Sequence, residues 1–197
     1  MTGTGIIILA AGNSSRLGQP KQLLQFKEKS LIVHVINEAA AAGLFPCVVV
    51  LGAYAGLIRQ EIFGQDVLAA ENDNWETGMA SGIVTGMKAL LTIDAPLTNV
   101  IISVCDQPFI SKEIFSGLVE THHRETKGII ACCYGETSGT PVLFNKKYFK
   151  TLMLLKGHEG AKKLLKLYNQ DVTELSFKNG EIDIDTQSDY LNLLKIK

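Results

Sequence analysis

The stretch Gly5-Ile6-Ile7-Ile8-Leu9-Ala10-Ala11-Gly12-Asn13-Ser14-Ser15-Arg16-Leu17-Gly18-Gln19-Pro20-Lys21 passes from an almost wholly apolar run into a loop of small and polar residues carrying two cations. A strand without polar alternation is expected to be covered on both faces, as in a parallel sheet held between helices. Two further runs read the same way, Cys47 to Gly52 (CVVVLG) and Val100 to Val104 (VIISV).

Outward from that stretch, short β-branched runs alternate with helical patterns. Strands are predicted at 5–10, 47–51, 66–70 and 100–104, with helices at 31–42, 55–63, 79–91 and 112–124. This alternation is the mark of βαβ units and predicts an α/β fold with a mainly parallel, buried central sheet. Ser30 is placed to cap the first helix and Gly43 to end it, while Ser111 precedes the fourth, which has Glu113 in its first turn. After residue 129 the pattern changes. Strand-like runs at 129–134 and 141–144 bracket a turn-rich 135–139, then come short amphipathic helices near 148–155 and 160–168, a strand at 172–177 and a closing helix at 187–194. No repeat interrupts the chain, and residues 1–197 read as one domain whose second half elaborates the first.

With 46% hydrophobic and 20% charged residues, the composition is that of an ordinary globular protein. Nineteen basic against twenty acidic residues give a formal charge of -1, which supplies no global attraction to nucleic acid or an anionic membrane, so any phosphate binding must be local. The apolar runs fall far below the roughly 20 residues of a membrane-spanning helix. A cytoplasmic location is expected. Among the four cysteines, Cys132 and Cys133 are adjacent on a strand and point to opposite faces, and Cys47 and Cys105 lack ligand-like spacing, so all four are expected to be free thiols.

The loop that follows the first strand leaves the sheet's carboxyl end, where ligands sit in open α/β sheets. Small residues at Ala10, Ala11 and Gly12 let the backbone approach a ligand, and the glycines permit the positive φ angles that aim amide groups at an anion. Arg16 and Lys21 add charge beside it. Phosphoryl and nucleotidyl transfers need charge neutralisation and in-line positioning more than an activated side chain. The loop lacks the Gly-Lys-Ser/Thr ending of a Walker loop. Asp106 follows the strand at 100–104 at the same edge, where a carboxylate suits Mg²⁺. Asp183 and Asp185 share one face if their segment is extended. Asp185 or Thr186 can also serve as the cap of the last helix, and the two roles are compatible.

Taken together these motifs resemble the MobA-like nucleotidyltransferases, and among them the molybdenum cofactor cytidylyltransferases. The pattern LAAG-x-S-x-R-x-G-x-x-K is matched from Leu9 to Lys21, and a GDQP-like turn by Cys105-Asp106-Gln107-Pro108. Further matches are Asn74-Trp75-x-x-Gly78-Met79-x-Ser81, Gly139-x-Pro141-x-x-Phe144 and Asp183-Ile184-Asp185-Thr186-x-x-Asp189-Tyr190, so the resemblance covers nearly the whole chain in order. It implies a Rossmann-like, three-layer α/β/α fold of the nucleotide-diphospho-sugar transferase type, with nucleotide bound by the N-terminal half and acceptor by the C-terminal half. It implies further that Leu9, Ala10, Ala11, Gly12, Gly78 and Ser81 contact the NTP, that Arg16 and Lys21 stabilise its phosphates, and that Asp106 and Asp185 bind Mg²⁺. The reaction implied is transfer of CMP from CTP to the phosphate of molybdopterin, with release of pyrophosphate, for a molybdenum hydroxylase apoenzyme. Ala11 resembles the cytidylyl branch, since the guanylyl branch tends to carry a second glycine there.

The chain departs from the family at Thr140, where His is frequent, and at Gly157-His158-Glu159-Gly160-Ala161-Lys162, where Gly-Asp-x-Gly-Ala-Arg is common. Both departures lie on the acceptor side. Trp75 reads equally as a base-stacking residue or a partly buried anchor. His34, His122 and His123 lie on predicted helices without partners at ligand spacing and receive no role. Lys162, Lys163 and Lys166 read as a solvated helix face, with acceptor-phosphate binding as the alternative. Two other functions stay open: guanylyl or sugar- or alcohol-phosphate nucleotidyl transfer on the same fold, and a non-catalytic carrier of a cofactor nucleotide.

Overall fold

The computed structural model describes residues 3–196. The opening stretch folds as strand β1 (Thr4–Leu9), a loop, and a two-stranded ribbon of β2 (Gln25–Phe26) and β3 (Lys29–Ser30). Then follow α1 (Leu31–Ala41), β4 (Cys47–Leu51), α2 (Ala55–Glu61), β5 (Leu68–Glu71), α3 (Met79–Leu90), β6 (Asn99–Val104) and α4 (Lys112–Arg124). The second half contributes β7 (Ile129–Tyr134), β8 (Thr137–Asn145), α5 (Phe149–Met153), α6 (Ala161–Leu167), β9 (Val172–Ser176) and α7 (Gln187–Leu193). Seven strands form one sheet in the order β5-β4-β1-β6-β8-β7-β9, in which only β8 runs antiparallel to its neighbours.

Successive strand side chains point to opposite faces, and the apolar runs therefore feed two cores. Ile6 and Ile8 enter one layer with Ile32, Val35, Phe115 and Leu118 of α1 and α4. Ile7 enters the other with Ile83, Met87 and Leu90 of α3, and with Leu152 and Leu164 of α5 and α6. Each isoleucine withdrawn from water contributes roughly 1.5 to 3 kcal/mol, so the unbroken Ile6-Ile7-Ile8 run commits this strand to the centre of a three-layer sandwich. A third, smaller cluster joins Leu17 and Leu24 of the first loop to Ile184 and Leu193 near the C-terminus. No helix among the described residues is long and apolar enough to cross a membrane.

Several boundaries differ from the sequence expectation. The turn expected at 135–139 shrinks to Gly135-Glu136, because β8 starts at Thr137 and pairs Thr137 with Tyr134 and Ser138 with Cys133. Cross-strand bonding outweighs the local turn propensity of that segment. The strand expected at 66–70 runs from Leu68 to Glu71. The helix expected at 148–155 contracts to Phe149–Met153 after a short turn at Lys146–Tyr148. The β2-β3 ribbon was not foreseen, since two-residue strands carry no usable periodicity. Ser30 caps α1 by accepting from Val33 N at 3.4 Å, whereas Ser111 precedes α4 without a side-chain cap bond.

Candidate active site

The register of β1 sets where the site lies. Leu9 pairs with Val50 on one side and Val104 on the other, so β1, β4 and β6 end together and release their loops at one edge. These loops, with the start of α3, enclose a cleft of about 270 Å³ whose walls include Leu9, Ala10, Ala11, Gly12, Lys21, Gln22, Asn72, Trp75, Gly78, Met79 and Asp106.

The first loop is held from several directions. Ala10 N donates to Val50 O (3.0 Å) and Ala53 N to Ala11 O (3.1 Å). Tyr54 donates its hydroxyl to Asn13 O at 2.8 Å, and Lys21 N donates to Ser14 Oγ at 3.1 Å. Gln22 is 1% exposed and gives both amide hydrogens to the loop, to Ala10 O at 2.8 Å and Gly12 O at 3.0 Å. The positive φ angles expected of the loop's glycines fall on Ser14 (49°) and Gly18 (74°), not on Gly12. A Cβ at Gly12 would meet nothing within 4 Å.

Lys21, Arg16, Asp106 and Asp185 converge at the mouth of the cleft. Lys21 Nζ lies 2.5 Å from Asp106 Oδ2 and 2.9 Å from Asp185 Oδ1, and Arg16 Nη2 lies 2.5 Å from Asp185 Oδ2. The side chains of Lys21, Asp106 and Asp185 are 16%, 18% and 27% exposed, and that of Arg16 68%. Burial by itself would lower the Lys21 ammonium, but Asp106 and Asp185 hold it well above the usual lysine range. Burial likewise pushes Asp185 up, and the bonds from Lys21 and Arg16 reverse this and hold it below the carboxylate range. Asp183 moves the other way, raised by burial and by the like charges of Asp185 and Asp106.

Asp185 reaches this position from almost the far end of the chain. Ile184, fully buried, anchors its segment in the cluster with Leu17 and Leu24, and its amide donates to Asp106 O at 3.1 Å. Gln107 donates to Gly180 O at 2.7 Å and pins the turn after β6 to the same segment. Residues 182–185 join no strand of the sheet. Of the two capping candidates, Thr186 caps α7. Its hydroxyl accepts from Asp189 N, while Asp189 accepts from Thr186 N, a reciprocal capping box that leaves the Asp185 carboxylate for Lys21 and Arg16.

On the opposite wall, Gly78 has φ 116°, and a Cβ there would stand 2.5 Å from Gly157 O, so the α3 N-terminus packs directly on the loop before α6. Ser81 donates to Gly78 O (2.8 Å) and accepts from Asn72 Nδ2 (2.9 Å), so its hydroxyl braces two residues that line the cleft. Trp75 forms part of the cleft wall beside Gly52. Of the helix histidines, His34 is buried with Nε2 3.0 Å from Ile110 O, and His122 lies near Lys127 O. Lys162 and Lys166 border a different groove with Glu174, and Lys163 pairs with Glu159. Cys105 lines the cleft, but burial, with a smaller push from Asp106, raises its thiol to about 12, which keeps it protonated. The four thiols are free.

Sequence reading missed Gln22, Gly52, Asn72 and Tyr54. The one available signal was Gly52 at the end of an apolar strand, the position where the backbone approaches a ligand loop.

A family model described as the MobA-like NTP transferase domain matches residues 6–173. The match stops short of Asp185, whose place beside Lys21 and Asp106 comes from the geometry above. A nicotine blue oxidoreductase of Paenarthrobacter nicotinovorans is 28% identical over 117 residues, covering 59% of this chain and 55% of that protein. A probable molybdenum cofactor guanylyltransferase of Bacillus cereus (strain G9842) is 32% identical over 130 residues, covering 66% and 62%. The chain thus matches only 55% and 62% of the length of these two relatives. The crystal structure of Rv0371c from Mycobacterium tuberculosis H37Rv superposes with a TM-score of 0.81 at 28% identity, covering 98% of each chain.

Proposed function

This chain belongs to the MobA-like NTP transferase family, and from that premise we propose that it transfers a nucleoside monophosphate from an NTP to the terminal phosphate of molybdopterin. The observation that carries this reading is the convergence of Lys21, Arg16, Asp106 and Asp185 at the mouth of the cleft, beside a loop built of small residues. The N-terminal half would bind the nucleotide and the C-terminal half the acceptor.

The carboxylate pair suits a divalent cation. Oxygens of Asp106 and Asp185 already meet on one positive point, the Lys21 ammonium, which stands where a cation would be held. Two carboxylates plus phosphate oxygens and water are what Mg²⁺ accepts. When bound, Mg²⁺ would neutralise phosphate charge at the reacting centre. Lys21, released from its carboxylates, would then face the triphosphate, and Arg16 would bring a second charge from the solvent side.

An oxygen of the acceptor phosphate forms the new bond to the α-phosphorus, the bond from that phosphorus to the bridging oxygen breaks, and pyrophosphate leaves with the electron pair. The acceptor is already anionic, so no strong base is required. Charge grows on the departing oxygen, and Lys21 would act there.

CTP is the nucleotide favoured by Ala11, a cleft residue whose Cβ lies beside Gly52. Guanylyl transfer is the second reading, favoured by the name of the Bacillus relative. Transfer to a sugar or alcohol phosphate, and a non-catalytic carrier role, are the further alternatives. The product would serve a molybdenum hydroxylase apoenzyme in the cytoplasm. The deciding experiment measures pyrophosphate release from each NTP with Mg²⁺, with and without molybdopterin bearing molybdenum. Release from CTP that depends on molybdopterin supports the reading; release with sugar phosphates alone, or none with any acceptor, ends it.

A further inference from the structure

The most deeply buried polar side chain at the cleft is Gln22, and its bonding is uneven. Its Nε2 donates to Ala10 O and Gly12 O, on either side of Ala11. Its Oε1 is buried without a hydrogen-bond partner among the described residues. An unpaired buried acceptor is costly, so stability alone does not account for an amide here. The two bonds it makes do account for it. Ala11 O is taken by Ala53 N, which leaves every carbonyl from Ala10 to Gly12 committed inside the protein. Both flanking peptides are trans. In a trans peptide the N–H of the next residue points opposite to the carbonyl, so the amides of Ala11 and Asn13 are turned away from Gln22.

We infer that Gln22 is a positioning residue for the nucleotide's phosphates: by holding the Ala10 and Gly12 carbonyls, it keeps their oxygens away from an anion and orients the loop's amides to receive one. Gln22 touches no reacting atom. The inference rests on the nucleotidyltransferase reading and deepens it, because it assigns the loop's selectivity to phosphate number, independently of the base.

The test is calorimetric titration of CMP, CDP and CTP, each with Mg²⁺, into the wild-type chain, Gln22→Met and Gln22→Glu, with melting curves on all three proteins. Met keeps the length and removes the donors; Glu keeps the shape and replaces donors with a charge that repels both the carbonyls and the triphosphate. With two hydrogen bonds lost, CTP affinity should fall on the order of tenfold in Gln22→Met and further in Gln22→Glu, while CMP affinity stays within about twofold. A merely structural role would lower the melting temperature and weaken all three nucleotides alike, and that result, or unchanged CTP binding, overturns the inference. A wild-type chain that binds none of the three overturns the functional reading, and this inference with it. Wild-type binding that depends on phosphate number, with no such dependence change in the variants, overturns the inference alone.

Discussion

The Lys21 ammonium lies 2.5 Å from the carboxylate of Asp106 and 2.9 Å from that of Asp185, so one lysine bridges the two carboxylates proposed to hold the metal. Lysine and metal should therefore compete. In Lys21→Met, Mn²⁺ should bind without nucleotide at least several-fold more tightly than in the wild type, read from the free-ion signal by electron paramagnetic resonance. The same variant should lose on the order of a hundredfold in kcat, as for removal of one oriented donor in a transition state. No gain in Mn²⁺ affinity would show that the two carboxylates do not hold the metal, and a change confined to KM would reduce Lys21 to docking.

Gly52 is predicted to tolerate no side chain. A Cβ there would stand 2.5 Å from Ala11 O, 2.7 Å from Ala11 Cβ and 2.9 Å from Trp75 Cβ. These neighbours are backbone or backbone-proximal and have no rotamer through which to yield. Gly52→Ala should cost roughly 1 to 3 kcal/mol of stability, as for overpacking, and weaken nucleotide binding because the displaced groups line the cleft. Gly56→Ala, in α2, is the control: its Cβ meets nothing within 4 Å and should be neutral or stabilising. Melting and titration of the pair decide the matter.

Ala11→Gly should relax the preference for CTP over GTP without inverting it. A methyl-scale misfit contributes roughly 1 to 3 kcal/mol, about 10- to 200-fold in kcat/KM, and other cleft groups must still pair with the base edge. The measurement is competition of the two nucleotides for one acceptor, before and after the substitution. Equal use of GTP by the unmodified chain would remove Ala11 as the discriminator and leave nucleotidyl transfer standing.

Away from the cleft, Asp171 accepts from Lys147 Nζ at 2.7 Å and from Tyr148 Oη at 2.5 Å, tying the turn before β9 to the one before α5. Burial would raise its carboxyl, but these two donors hold it below the ordinary value. A depressed folded-state carboxyl stabilises above the unfolded pKa of about 3.9 and loses that contribution as pH falls through the lower folded value. Asp171→Asn should thus melt below the wild type at pH 7, with the gap closing progressively under about pH 4. A gap independent of pH would assign the effect to packing.

Much of the site was legible because its N-terminal parts are local. Leu9, Ala10, Ala11, Gly12 and Lys21 leave one strand end in order, and all five line the cleft where the apolar run before them placed it. Asp106 was legible for the same reason, at the end of a second such run. Arg16 was read as a phosphate contact and stands at the mouth, paired with Asp185. Ser81 sits at its expected place on α3, yet its hydroxyl bonds Gly78 and Asn72, a partnership that spacing alone does not reveal.

The sequence by itself determined the layering, because runs such as Ile6-Ile7-Ile8 can only be satisfied by apolar cover on both faces of a strand. It determined which edge carries the cleft, because parallel strands release their loops on one side. What only the tertiary structure decided was how distant groups meet there. Asp185 joins Lys21 across 164 positions, through the burial of Ile184 and its amide bond to Asp106 O. Gln22 reaches back to Ala10 and Gly12 because the turn at Lys21–Leu23 folds it under the loop. Such contacts depend on register and packing between separate segments, which no local periodicity encodes.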